Sequence, residues 1–271
     1  MVAAAVSGEP ARAAGLSVQV RQVSHHFDTK GAPLHVLDDI TFTAEPGSFV
    51  ALVGPSGCGK STLLRLLAGL DPPKQGKLGV DGVRIVGPDP SRLLVFQDPT
   101  LFPWRTVARN IAFVLPRSMD KAERQQRTQE VLDAVGLTGS ADKYPWQLSG
   151  GMQQRVAIAR ALAYRPKILL MDEPFASVDA QTRAELEDLM LKVRDQFGMT
   201  ILFVTHDIDE SVYLADQVVV LSTSPATIVA KLDIDLPRPR DQVATREDPA
   251  FVSLRSDIAR MIRDQSQMKK K

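Results

Sequence analysis

Apolar residues fall along the chain in two patterns. Residues 48–53, 93–96, 168–171, 200–204 and 217–221 are short and almost uniformly apolar. Such runs suit strands covered on both faces, as in a parallel sheet. Residues 17–23, 36–42 and 77–85 alternate loosely and are divided by turn residues such as Asp81-Gly82, which predicts a small, mostly antiparallel sheet. Helical patterns lie between the uniform runs: 60–68, closed by Gly69; 120–135, with Ser118 as its expected N-cap and Gly136 as its stop; 150–164; and 181–197. Strand–helix alternation predicts an α/β fold with a mainly parallel core sheet and an antiparallel β subdomain, and a helical subdomain is expected as an insertion over about residues 98–163.

The two ends read differently. Residues 1–16 are alanine-rich but broken by Glu9, Pro10 and Arg12, a disordered tail rather than a signal peptide. Residues 17–235 form the main domain, and 236–271 a linker and C-terminal helix. Leu236-Pro237-Arg238-Pro239-Arg240 reads as extended linker. Asp248 and Pro249 then open a helix whose Phe251, Leu254, Ile258, Met261 and Ile262 recur at helical spacing, a face expected to pack on the main domain, before a solvated tail at 269–271.

Composition narrows the function. A length of 271 residues allows one large domain with an inserted part. The net charge of +1 argues against a phosphate-tracking nucleic-acid surface. A single cysteine, Cys58, excludes an intramolecular disulfide. No stretch approaches the roughly 20 apolar residues of a spanning helix, so action at a membrane would run through a partner, from the cytoplasm.

Chemistry concentrates at the ends of the apolar runs. Gly54-Pro55-Ser56-Gly57-Cys58-Gly59-Lys60-Ser61 is a Gly-x4-Gly-Lys-Ser phosphate loop between a strand and a helix. Glycines let backbone N–H groups turn inward, the helix N-terminus adds positive potential, Lys60 brings a full charge to the β- and γ-phosphates, and the Ser61 hydroxyl suits Mg²⁺. Cys58 takes a position that any small residue fits; the sharper reading is a reactive thiol activated by the helix terminus. The run 168–171 ends in Asp172-Glu173, an acid for Mg²⁺ and an acid to take or orient a proton from attacking water. His206 follows another strand at the sheet's carboxyl edge. A lone histidine is usually structural, but this edge is where ligands bind, so His206 is a γ-phosphate contact in prospect. His25 and His26 are neighbours on a strand and face opposite ways, which argues against joint chelation. Ser149-Gly150-Gly151 opens a second helix as a second anion-binding terminus.

With both half-sites in view, the chain resembles an ABC-type ATP-binding cassette, from about residue 17 to 232. The resemblance implies ATP held in cis by Gly54 through Thr62 (Gly54, Pro55, Ser56, Gly57, Cys58, Gly59, Lys60, Ser61 and Thr62), with Phe27 stacked on adenine where tyrosine is commoner. It implies Mg²⁺ at Ser61, Asp172 and Gln97, Glu173 as the base, and His206 as the switch histidine. Ser149, Gly150 and Gly151 would act in trans on the nucleotide of a second copy, and Asp179 would lie in the loop crossing that interface. Met152 stands where glutamine is most familiar, and Val178 where leucine is usual.

Residues 98–111, with Pro103-Trp104 and Asn110-Ile111, resemble the subgroup that drives uptake of nitrate, taurine, alkanesulfonates and related small anions, as does the Leu236-Pro237-Arg238-Pro239-Arg240 stretch. That resemblance implies two permease subunits on separate chains, a substrate-binding protein reached through them, no nucleic acid, and a peripheral place on the cytoplasmic face of the inner membrane. Phe102 and Trp104 would either be buried in the insertion or line a groove for a permease helix. An exporter motor, or a soluble ABC ATPase acting on DNA or ribosomes, are the alternatives.

Overall fold

The computed structural model describes residues 15–268. The expected tail at 1–16 therefore lies outside the described residues except for its last two, and the solvated tail at 269–271 lies wholly outside them. The carbonyl of Leu16 accepts a hydrogen bond from Thr200 Oγ1 at 2.8 Å, so the ordered domain begins slightly earlier than the composition suggests.

The uniform apolar runs assemble into one six-stranded sheet. Its members are β3 (Phe49–Val53), β6 (Arg92–Val95), β7 (Ile168–Asp172), β8 (Thr200–Val204), β9 (Gln217–Leu221) and β10 (Ile228–Asp233), in the order β10-β9-β3-β8-β7-β6. All neighbours are parallel except β10, which closes the edge antiparallel to β9. The alternating runs form a separate antiparallel sheet, β2-β1-β4-β5, from β1 (Val18–Phe27), β2 (Leu34–Ala44), β4 (Gln75–Val80) and β5 (Val83–Arg84).

Strand periodicity of two divides the core. Phe49, Ala51, Leu169, Met171, Ile201 and Phe203 face one layer, which the helical insertion and the later helices cover. Val50, Leu52, Ile168, Leu170, Leu202 and Val204 face the other, where α1 (Lys60–Ala68) and the antiparallel sheet pack. Both faces are dry, which is why these strands carry no polar alternation.

The insertion holds α2 (Val107–Ala112), α3 (Lys121–Ala134) and α4 (Gly150–Leu162). The N-cap of α3 is Asp120, whose carboxylate accepts from Glu123 N at 2.8 Å, and not Ser118. Asp120 begins a capping-box pattern with Glu123 and stands directly before the first helical residue, whereas Ser118 is too far upstream to reach the first-turn amides. Helices α5 (Ala180–Phe197) and α6 (Ile208–Leu214) complete the main layer.

The expected linker is strapped to the body. Leu236 is buried, Arg238 pairs with Asp216, and Arg240 donates to the carbonyls of Val212, Tyr213 and Ala215, three of the acceptors that the C-terminal end of α6 leaves free. The segment bends at Arg238 and Pro239 rather than running extended throughout, and Arg238 and Arg240 pin it. Beyond lie α7 (Ala244–Glu247) and α8 (Pro249–Met268), whose Phe251 and Ile258 are fully buried against α6 and β9.

Candidate functional site

The turn after β3 wraps around one side chain. Lys60 is almost entirely buried, and its Nζ donates to the carbonyls of Gly54 at 2.9 Å and Pro55 at 3.1 Å. Two of three ammonium donors hold the loop closed, and one is left for a ligand. Gly59 has φ 114°, and a Cβ there would stand 2.6 Å from Val36 Cγ1. Only glycine lets the loop lie this close to β2.

One cleft gathers Phe27, Ser56, Gly57, Gly59, Lys60, Ser61, Thr62 and Glu173, together with Val36. The first of these lies at the end of β1, 40% exposed and edge-to-face with His25 at 5.0 Å, an open aromatic face beside a polar, backbone-rich floor. Val36 was not foreseen; in the sequence it is one of several apolar strand residues, and only folding sets it against the loop. Cys58 does not join the cleft with its side chain. It is buried in the core behind the loop, and burial pushes its thiol pKa up, so the structure overturns the reactive-thiol reading.

Beside the loop, Ser61 Oγ donates to Asp172 Oδ1 at 2.9 Å. Burial raises the Asp172 pKa, opposed by that hydrogen bond, and Glu173 raises it further. A hydroxyl and a carboxylate in contact are hard oxygen donors of the kind Mg²⁺ takes with phosphate oxygens and water, so this pair fits the ion. Gln97 is exposed beyond β6 and does not line the cleft. No group of three His, Cys, Asp or Glu among the described residues could hold a metal unaided.

Glu173 leaves the strand direction with φ 44°, its N–H bonded to the Val204 carbonyl at 3.0 Å. This turn, rather than an extended alternation, separates the two acids. The Glu173 carboxylate then lies 3.0 Å, Oε2 to Nδ1, from His206. Adjacent strands β7 and β8 end together, which brings these two residues into contact across 33 positions of sequence.

Ser149, Gly150, Gly151 and Asp179 lie outside the cleft. Ser149 caps α4, its Oγ accepting from Met152 N at 3.3 Å. Gly151 meets α5 so closely that a Cβ would fall 2.1 Å from Thr182 Cγ2. Asp179 caps α5, its carboxylate taking both the amide and the hydroxyl of Thr182, which lower its pKa.

Sequence reading also missed a buried acid behind His206. Glu210 lies among Thr205, Asp207, Glu187 and Arg183; burial first, and the neighbouring carboxylates with it, push its pKa up to about 7 against the opposing pull of the Thr205 hydroxyl and Arg183. The Asp207-x-x-Glu210 spacing was the legible signal, a capping box after an apolar strand. The folded state holds a proton that the unfolded chain releases near its ordinary value of 4.5. Glu210 therefore costs stability progressively as pH rises from about 4.5 to 7, on the order of 3 kcal/mol at most. Urea midpoints of wild type and Glu210→Gln at about pH 5 and pH 8 should show a shallower pH dependence in the variant; parallel lines would reject the assignment.

A family model described as ABC transporter matches residues 37–176. The chain is 43% identical over 256 residues to a nitrate import ATP-binding protein of Synechococcus elongatus; the alignment covers 93% of this chain, which spans only 39% of that relative's length. It is 47% identical over 243 residues to an aliphatic sulfonates import ATP-binding protein of Xanthomonas axonopodis pv. citri, covering 89% of this chain and 94% of that one. Among solved structures, a dimeric post-hydrolysis state of an ATP-binding cassette bound to ADP and Pi matches with a TM-score of 0.69 and 30% identity, covering 80% of this chain and 98% of the other.

Proposed function

The chain belongs to the ABC transporter family of ATP-binding cassettes, and on that premise we propose that it is the ATP-hydrolysing subunit of an importer for a small anion such as nitrate, taurine or an aliphatic sulfonate. The observation that carries the proposal is the meeting of Lys60, the Ser61–Asp172 pair and the Glu173–His206 pair at the ends of neighbouring strands. The names of the nitrate and sulfonate import relatives support the direction and the cargo class.

In this reading the loop amides and the remaining Lys60 donor bind the phosphates, and Phe27 covers the adenine. Mg²⁺, held by Ser61 and Asp172, would neutralise charge on the phosphate oxygens. Gln97 would join only after the segment following β6 moves inward. Water attacks the γ-phosphorus, its proton passes to Glu173, and the bond to the bridging oxygen breaks to leave ADP and phosphate. His206 holds the Glu173 carboxylate in place. Ser149, Gly150, Gly151 and Asp179, outside this chain's own cleft, would complete the site of a second copy, as expected for a dimer that closes on two nucleotides. Hydrolysis removes the γ-phosphate joining the halves, and they part.

The permease partners, on separate chains, would dock on the insertion, with a substrate-binding protein reached through them and the assembly on the cytoplasmic face of the membrane. No described helix is long and apolar enough to cross a membrane. Trp104 is 70% exposed and Phe113 50%, with Phe102 between them at ring distances of 5.7 and 4.7 Å. The Asn110 side chain, wholly buried, ties both backbone groups of Phe102 and so fixes this aromatic ledge.

The test is affinity capture of a tagged Glu173→Gln chain from detergent-solubilised native membranes with ATP and Mg²⁺, with and without Trp104→Ala. Recovery of a multi-spanning protein, reduced about tenfold or more by the tryptophan change, is expected. Recovery of soluble proteins or nucleic acid alone would favour the soluble alternative.

A further inference from the structure

Outside the cleft, Arg183, on the first turn of α5 and about one-third exposed, joins two elements of the fold. Its Nη2 donates back to the Val178 carbonyl at 3.3 Å, on the loop that ends in Asp179. Its Nη1 donates to Asp207 Oδ2 at 3.3 Å, and its Nε lies 3.4 Å from Glu210 Oε1. One planar fork thus touches the approach to α5 and the first turn of α6.

The acceptors on α6 are not passive. Asp207 Oδ1 caps that helix, accepting from Asp209 N at 2.9 Å and Glu210 N at 3.2 Å. Asp207 N donates to Thr205 Oγ1 at 2.9 Å, and that hydroxyl donates to Glu210 Oε2 at 2.6 Å. The residue enclosed between Thr205 and Asp207 is His206, 3.0 Å from Glu173. The turn that presents the histidine is therefore held by a hydrogen-bonded ring of Thr205, Asp207 and Glu210, and Arg183 is the cation set against the two acids of that ring. Without Arg183, Asp207 and Glu210 would stand as neighbouring carboxylates in a poorly solvated place, with Glu187 behind them.

We propose that Arg183 is a positioning residue for ATP hydrolysis: by bridging Val178, Asp207 and Glu210 it ties the loop bearing Asp179 to the turn bearing His206, and so fixes the Glu173–His206 pair. The proposal rests on the reading of Glu173 as the base. It gives a physical route by which a change at the Asp179 loop reaches the histidine of the same subunit. A lysine at 183 would supply charge without the three-way fork, so it would not replace the arginine.

The experiment is a kinetic cycle on the full chain assembled with its permease, using wild type, Arg183→Ala, Arg183→Lys, Glu173→Gln and the Glu173→Gln/Arg183→Ala double variant, with single-turnover measurement for the slow forms. Arg194→Ala serves as the structural control, since Arg194 sits on the same helix and pairs with Asp195 and Asp216 away from the cleft. All are assayed well below their melting temperatures. Arg183→Ala is expected to lower kcat about tenfold with KM for ATP within about twofold. Arg183→Lys should recover little of that loss, and Arg194→Ala should lose thermal stability with kcat retained. In the Glu173→Gln background the arginine change should cost less than about twofold more, because the pair it positions is already disabled. Unchanged kcat in Arg183→Ala, or a full tenfold loss added on top of Glu173→Gln, would overturn the proposal. A Glu173→Gln chain that hydrolyses ATP at the wild-type rate would instead remove the base assignment itself, and the positioning role with it.

Discussion

Glu173→Gln should lower ATP hydrolysis by about two to three orders of magnitude while leaving ATP affinity within about threefold. Asp172 is bonded to the Ser61 hydroxyl, whereas Glu173 is the carboxylate that lines the cleft. Its place is set by the backbone: the left-handed φ of 44° at Glu173 turns the side chain off the line of β7, and the Val204 carbonyl holds that turn through the Glu173 amide. Such a conformation costs a non-glycine residue on the order of 1 kcal/mol, which the paired strand ends of β7 and β8 maintain. Glutamine preserves shape and can still contact His206, so the fold and the phosphate contacts persist; what disappears is the proton acceptor. Release of labelled phosphate under single-turnover conditions, alongside equilibrium ATP binding, checks this. A loss below about tenfold would mean that another group takes the proton.

Lys60→Ala should weaken ATP binding about a hundredfold or more. A charge-assisted contact to phosphate contributes about 1.5–3 kcal/mol, and each buried acceptor left without a donor costs about 1–3 kcal/mol. The first applies in full and the second only in part, because the carbonyls of Gly54 and Pro55 that Lys60 Nζ satisfies lie in a loop at the cleft. The phosphate loop would lose both its internal tether and its contact with the ligand, and a loss of about 3 kcal/mol is roughly a hundredfold in affinity. Since those carbonyls can turn toward water once the lysine is gone, the melting temperature should fall far less than the affinity. Calorimetric titration with ATP, paired with a thermal melt of the free chain, separates the two. Affinity within threefold of wild type would show that the loop amides alone bind the phosphates.

Much of the architecture was legible before folding. The dry strands β3, β7, β8 and β9 announced themselves as uniform apolar runs because both their faces are covered, and α1 showed its end because Gly69 supplies the left-handed cap, φ 77°. The phosphate loop, the acid pair and the strand-end histidine were legible because their chemistry demands particular side chains next to particular elements. Edge and surface features were weaker: β10, with one face open, carries the mixed burial of an ordinary polar stretch, and the Pro-Arg-Pro segment reads as free linker until Asp216 and the end of α6 supply partners for its arginines.

The sequence by itself determined which residue types are present for nucleotide chemistry and in what order, since local motifs need only a strand, a turn and a helix to be recognised. Only the tertiary structure decided which of them meet. Ser61 reaches Asp172 over 111 positions, Glu173 reaches His206 over 33, and Cys58 turns into the core instead of the cleft. The register of parallel strands and the burial of one loop face are long-range outcomes of packing, and no local pattern carries them.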